Sequence, residues 1–260
     1  MIARVEILRE LGLLPLWRMR LRGENSAAAF ASGAPAPERV PARVAEPEAP
    51  SGRLQRIAAL DWRGFAADVD ACTACNLCRS RNKSVPGVGD PRAQWLFVGE
   101  APGADEDAKG EPFVGQAGRL LDSMLAALGM RRGENVYIAN VLKCRPPGNR
   151  TPEPREVEAC RPYLDRQIAL IAPRIIVALG KSAATTLLNV EASIASLRGR
   201  VHRYQGVPLI VTYHPAYLLR NLPDKAKAWE DLCLARATLR RVQDGSQPTL
   251  PLQAGASGPI

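Results

Sequence analysis

No stretch of this sequence approaches ~20 uninterrupted apolar residues, the length a membrane-spanning helix needs, so a spanning protein is not expected. No secretory leader is expected either. Glu6, Arg9 and Glu10 interrupt the first apolar run, and no clean cleavage site follows. A cytoplasmic chain is the expectation. In that reducing compartment the six cysteines read as thiols or metal ligands rather than disulfides. There is no internal repeat, which argues against a solenoid or propeller. Histidine is scarce: His202 and His214 are the only two in 260 residues. Any chemistry that needs an imidazole has two candidates, and His202 reads as a surface residue.

The 46% hydrophobic content suits one globular domain with some irregular sequence. The net charge of +9 favours a polyanionic partner. Its placement matters more. Residues 1–52 carry about +1 and the remainder about +8, so the excess lies on the folded part, as a binding face would. Residues 1–22 read as a short amphipathic helix, with Val5, Leu8, Leu11 and Leu14 three apart and Pro15 interrupting it. Trp17, Met19 and Leu21 could dock a repair or replication partner or pack back onto the domain. Residues 23–52, rich in Ala, Pro, Glu and Gly, read as a disordered linker. The folded domain is expected over 53–242, and a flexible tail over 243–260.

Within that domain strands alternate with helices. Strands are expected at Gln94–Gly99, Val136–Asn140, Arg174–Leu179 and Val207–Thr212. Helices are expected at Gln116–Leu128, Glu153–Ile171, from Lys181, and at Asp224–Arg241. This is an α/β pattern: a three-layer α/β/α sandwich around a mainly parallel central sheet. Sites in such sheets gather at the carboxyl ends of the strands. Three unusual segments fall there: GEAPG, NVLKCRPP and HPAYLLRN.

Cys72 and Cys75 form a C-x2-C pair, and Cys144 and Cys160 a second pair at long range. Four such thiolates can surround a zinc ion or a cubane cluster, and spacing does not choose between them. Cys78 extends the first pair to C-x2-C-x2-C, so five cysteines compete for four positions. Cys233 reads as ordinary core.

GEAPGADEDAKGEPFVGQAGRLL (99–121), NVLKCRPPGNRTP (140–152) and HPAYLLRN (214–221) together resemble the family 4 uracil-DNA glycosylases, bacterial and archaeal enzymes that carry a [4Fe-4S] cluster. The resemblance covers about residues 68–242. It implies the uracil-DNA glycosylase fold and hydrolysis of the bond between uracil and its sugar in single- or double-stranded DNA, by a monomer. It also implies Cys72, Cys75, Cys144 and Cys160 as cluster ligands, leaving Cys78 spare.

The resemblance distributes the roles. A base inside a duplex must be flipped into a pocket to be reached. Asn140 would read the Watson–Crick edge, since one amide offers both donor and acceptor; alone it would read as a turn cap. Phe113 would stack on the base, although an isolated Phe is more often core. His214 would donate to uracil O2 as negative charge develops there. Glu100 would stand beside the sugar, and Glu106 near C5, where it helps exclude a methyl. Ala101 occupies the slot where family 1 relatives place an Asp, so the main chain around Glu100–Pro102 would hold the water. Leu219 or a neighbour would wedge into the duplex. Arg220, Lys143, Arg145 and Arg150 would meet phosphates. The cluster would pin the 144–160 loop without taking part in the chemistry. The rival expectation within the superfamily is a non-catalytic or covalent-capture uracil-DNA binding protein.

Overall fold

A computed structural model describes residues 50–245. The expected helix over 1–22, nearly all of the linker over 23–52 and most of the tail over 243–260 lie outside the described residues. In chain order the elements are α1 (Pro50–Ala59), α2 (Trp62–Ala71), β1 (Val88–Gly89), β2 (Trp95–Gly99), α3 (Ala104–Lys109), α4 (Gln116–Ala127) and β3 (Val136–Asn140). There follow α5 (Pro154–Ile171), β4 (Ile175–Leu179), α6 (Lys181–Leu188), α7 (Ile194–Leu197), β5 (Val201–Tyr204), β6 (Val207–Thr212), α8 (Pro215–Leu218) and α9 (Asp224–Gln243). Short 3-10 turns occupy Asn76–Arg79 and Pro147–Asn149.

The strands form one six-stranded sheet in the order β1-β3-β2-β4-β6-β5. The β3-β2-β4-β6 neighbours pair in parallel, and β1 and β5 close the edges antiparallel. β2, β3 and β4 are buried at every position, which is why they read as unbroken apolar runs. Alternate residues serve opposite layers. Leu96, Val98, Ile176 and Ala178 pack with Leu164 and Ile168 of α5 and Ala183 and Leu187 of α6. Trp95, Phe97, Ile175 and Val177 pack with Leu121 and Leu125 of α4 and Leu232 and Leu239 of α9. This is the expected α/β sandwich. Among the described residues no helix is long and apolar enough to cross a membrane.

Seven elements go beyond the sequence reading, among them the short helices α3, α7 and α8. β1 and β5 are short edge strands; β1 has only two residues, and β5 (VHRY) is incompletely buried, so neither carries an apolar run. α1 and α2 cover the outside of α5: Ile57, Phe65 and Val69 bury themselves against Tyr163. α1 starts at Pro50, three residues ahead of the expected domain start, with proline at the helix end where its missing N–H is harmless.

Leu121 is fully buried between α4 and the sheet. Leu121→Ala is expected to lower unfolding free energy by about 2–5 kcal/mol in urea titration. Leu222→Ala, at 60% exposure, should change it by less than about 0.5 kcal/mol.

Candidate active site

Parallel pairing brings the carboxyl ends of the central strands to one edge. Gly99 closes β2 directly opposite Asn140, which closes β3. β6 delivers His214 to the same edge two residues after its end. A cavity of about 500 Å³ opens there, lined by Glu100, Ala101, Pro102, Glu106, Phe113, Asn140 and His214, with Arg150 and Arg220 at its border. The structure thus gathers in one place every residue expected to touch the base. Gly99 permits the closeness: a Cβ there would lie 2.4 Å from Asn140 Oδ1 and 2.6 Å from Phe113 Cζ.

Asn140 is 2% exposed, and its Oδ1 has no hydrogen-bond partner. A buried orphan acceptor costs free energy that folding alone does not recover. Beside it stands His214. The Ala216 N–H donates to His214 Nδ1 at 3.1 Å, which leaves the ring proton on Nε2. Burial lowers the His214 pKa to about 4; the Glu106 carboxylate opposes that shift and Arg220 adds to it. The imidazole is therefore a neutral donor at neutral pH. Its ring lies 5.5 Å from that of Phe113 at 30°. Gly180, at φ +93°, lets β4 come close, since a Cβ there would sit 2.9 Å from His214 Cβ.

Phe113 adopts φ 55°, a strained conformation for a non-glycine residue. Three neighbours hold it. Arg132 donates to its carbonyl oxygen. Gly118 packs so tightly that a Cβ would overlap that oxygen at 1.7 Å. Glu106 collects the N–H groups of Gly103 (3.0 Å), Val114 (2.9 Å) and Gly115 (3.1 Å). Its carboxylate thereby braces the loop that carries Phe113 and caps α3. Glu100 stands apart: burial raises its pKa, and a hydrogen bond with Ser182 works the other way. Its backbone is fixed, with Leu142 N–H donating to the Glu100 carbonyl at 3.0 Å. Glu100 also borders a second cleft of about 760 Å³ that runs past Lys181 and Ser182. Ser182 and Arg132 had no signature in the sequence, because each acts on a residue distant along the chain, Glu100 and Phe113 respectively.

The cations expected to meet phosphate divide into separate cases. Lys143 is corrected: it is 1% exposed, and its Nζ donates to Asn140 O at 2.7 Å and to Gln167 Oε1. A sealed ammonium cannot reach a phosphate. Arg145 donates to Asn149 Oδ1 at 2.7 Å. Arg150 forks onto Glu156 at 2.9 and 2.6 Å, so much of its charge is spent at the start of α5. Arg220 is exposed at the rim beside Leu219, which is 39% exposed.

Behind Asn140, Cys72, Cys75, Cys78, Cys144 and Cys160 line one small cavity together with Lys143 and Tyr163. Burial pushes the Cys75 and Cys144 thiols up, and that of Cys160 to about 12. Without a bound cation these groups favour the neutral form. Yet N–H donors already aim at four of the sulfurs: Arg81 at Cys144 Sγ (2.9 Å), Lys143 N at Cys160 Sγ (3.3 Å), Arg53 at Cys72 Sγ (3.8 Å), and the Leu77 backbone at Cys75. Such donors suit thiolates that ligate a metal. Among the described residues no three His, Cys, Asp or Glu groups converge tightly enough for a single metal ion. The five sulfurs line one cavity, a donor set of the kind that iron–sulfur clusters take.

The Uracil DNA glycosylase superfamily model matches residues 86–233. The chain is 49% identical over 160 residues to a type-4 uracil-DNA glycosylase of Archaeoglobus fulgidus, covering 58% of this chain and 80% of that protein. It is 44% identical over 177 residues to a type-4 uracil-DNA glycosylase of Thermotoga maritima, covering 66% and 92%. A type-5 uracil-DNA glycosylase of Thermus thermophilus is 33% identical over 156 residues, covering 47% and 71%.

Glu106→Ala leaves three backbone donors without their acceptor. The expected loss is about 1.5–3 kcal/mol of stability. Amide hydrogen exchange should accelerate at Gly103, Val114 and Gly115; unchanged protection there would refute the brace.

Proposed function

The chain belongs to the uracil-DNA glycosylase superfamily, and we propose that it acts as a type-4 enzyme, hydrolysing the bond between uracil and deoxyribose in DNA and leaving an abasic site. One observation carries this reading: the unpartnered Asn140 Oδ1 and the Nε2–H of a neutral His214 share a cavity with a preset aromatic ring.

The flipped nucleotide enters that cavity. Asn140 Oδ1 accepts from uracil N3–H and its Nδ2 donates to O4. Cytosine presents the opposite pattern and leaves both partners unsatisfied. Phe113 stacks on the ring, an interaction worth roughly 1–3 kcal/mol per base. The loop braced by Glu106 walls the C5 side against a methyl group. As the bond to the sugar lengthens, His214 Nε2–H donates to O2 and stabilises the departing anion. The Glu100 carboxylate faces the sugar as it becomes positive. With Ala101 offering no carboxylate, Glu100 and the main chain to Pro102 hold the attacking water. Arg220 and Arg145 face phosphate, Arg150 keeps the 150–156 turn in place beside it, and Leu219 fills the gap in the stack.

Cys72, Cys75, Cys144 and Cys160 would hold a [4Fe-4S] cluster. When bound, it supplies a cross-link and no electrons, because this hydrolysis is redox-neutral. Cys72 ends α2, Cys144 follows β3 and Cys160 lies within α5, so the cross-link ties three elements behind the base pocket. Catalysis over 53–242, a monomeric state, action on single- or double-stranded DNA and a cytoplasmic, nucleoid-associated location belong to the same reading. The non-catalytic or covalent-capture alternative is not favoured, since Asn140 and His214 are both present and the loop over Lys143–Pro147 carries no histidine.

The test uses anaerobically purified protein, a labelled oligonucleotide with one uracil, and hot alkali. Strand cleavage is expected at uracil and absent at cytosine, with His214→Ala slower by about 10²–10³-fold. An intact, iron-loaded protein that leaves uracil in place contradicts the reading. Iron analysis should find about four irons per chain; Cys160→Ser should lose them and Cys78→Ser keep them, and equal loss in both would remove the ligand assignment.

A further inference from the structure

Lys143 ranks among the largest fully buried side chains of the domain. Its ammonium meets two neutral oxygens, Asn140 O at 2.7 Å and Gln167 Oε1. Gln167 cannot turn its amide freely: Nε2 donates to Pro86 O at 2.7 Å and lies 3.3 Å from the Tyr137 hydroxyl. Oε1 is therefore the atom left to face Lys143. At its other end, the Lys143 N–H donates to Cys160 Sγ at 3.3 Å, and its carbonyl accepts from Val85 N–H at 2.8 Å. Cys144 follows directly in the chain.

A sealed ammonium with neutral oxygens as its hydrogen-bond partners is costly, and an apolar side chain of similar length would fill the space at less cost. Packing alone gives no reason for a lysine here. What the ammonium does, and a methionine would not, is grip the carbonyl of Asn140. β3 ends at that residue, and the same residue presents its unpartnered Oδ1 in the base cavity. The carbonyl is held from behind while the amide stays free in front.

We infer that Lys143 is a positioning residue for uracil excision: its side chain locks the main chain of Asn140 at the end of β3 and its backbone ties that lock to the cysteine cage. The Asn140 amide then meets the uracil edge in one orientation. Disturbance of the cage then reaches the base-reading edge through Lys143. The inference rests on the uracil-excision reading above.

A double-mutant cycle tests it. Wild type, Lys143→Met, Asn140→Ala and the double variant are assayed by single-turnover excision of uracil, with iron content and thermal midpoint measured alongside. Lys143→Met is expected to slow excision about 10- to 100-fold, the scale of a small misplacement of a reacting group, with iron retained. In the Asn140→Ala background the same change should alter the rate by less than about threefold, because there is no amide left to position. Equal slowing in both backgrounds, no slowing, or loss of iron in step with activity each overturns the inference. If Lys143→Met does not fold, Gln167→Leu carries the same cycle with the same two outcomes. A wild type that leaves uracil in place overturns the uracil reading and this inference with it. A wild type that excises uracil, with variants that slow equally, overturns this inference alone.

Discussion

The hydrogen bond from Ala216 N–H to His214 Nδ1 decides what the pocket can do. It costs the ring its acceptor and leaves a donor, Nε2–H, with no choice of tautomer. Burial then keeps that donor uncharged. A neutral donor suits a leaving group whose negative charge appears only as the bond breaks, because it gains most in the transition state. The rest of the site follows from getting this ring to its place. β6 ends two residues before it, the Ala216 N–H in the first turn of α8 orients it, Gly180 makes room behind it, and Phe113 stacks near its face.

Preorganisation recurs at each neighbour. Phe113 is held in a strained conformation by Arg132, Gly118 and the Glu106-braced loop. Asn140 keeps one buried acceptor empty while its carbonyl is occupied by Lys143. These are the two opposite costs of a binding site, strain and an unmet hydrogen bond, and the surrounding sheet sustains both. The five cysteines and Lys143 line a second cavity that shares no lining residue with the pocket.

The central strands were legible because they are buried on both faces, and so appear as apolar runs with nothing to interrupt them. The site was legible because its residues cluster in three motifs at the ends of those strands, and parallel pairing brings strand ends together. What the sequence concealed was direction. Lys143 sits among arginines in a basic motif, yet it points inward to Asn140 and Gln167, and charge alone does not reveal that. Glu106 reads as an acid of the pocket and serves backbone N–H groups that come partly from eight and nine residues away. The edge strands escaped because β1 spans two residues and β5 mixes His and Arg into its run. α1 and α2 lie outside the motifs altogether.

The scarcity of histidine makes the central claim directly measurable. With His202 and His214 the only imidazoles, long-range proton–nitrogen NMR gives two ring systems to follow from pH 8 to 5. The account predicts that His214 stays neutral across that range, with Nε2 protonated and Nδ1 bare, since its pKa is lowered to about 4. A His214 that takes up a proton near pH 6.5, or that carries its proton on Nδ1, would contradict it.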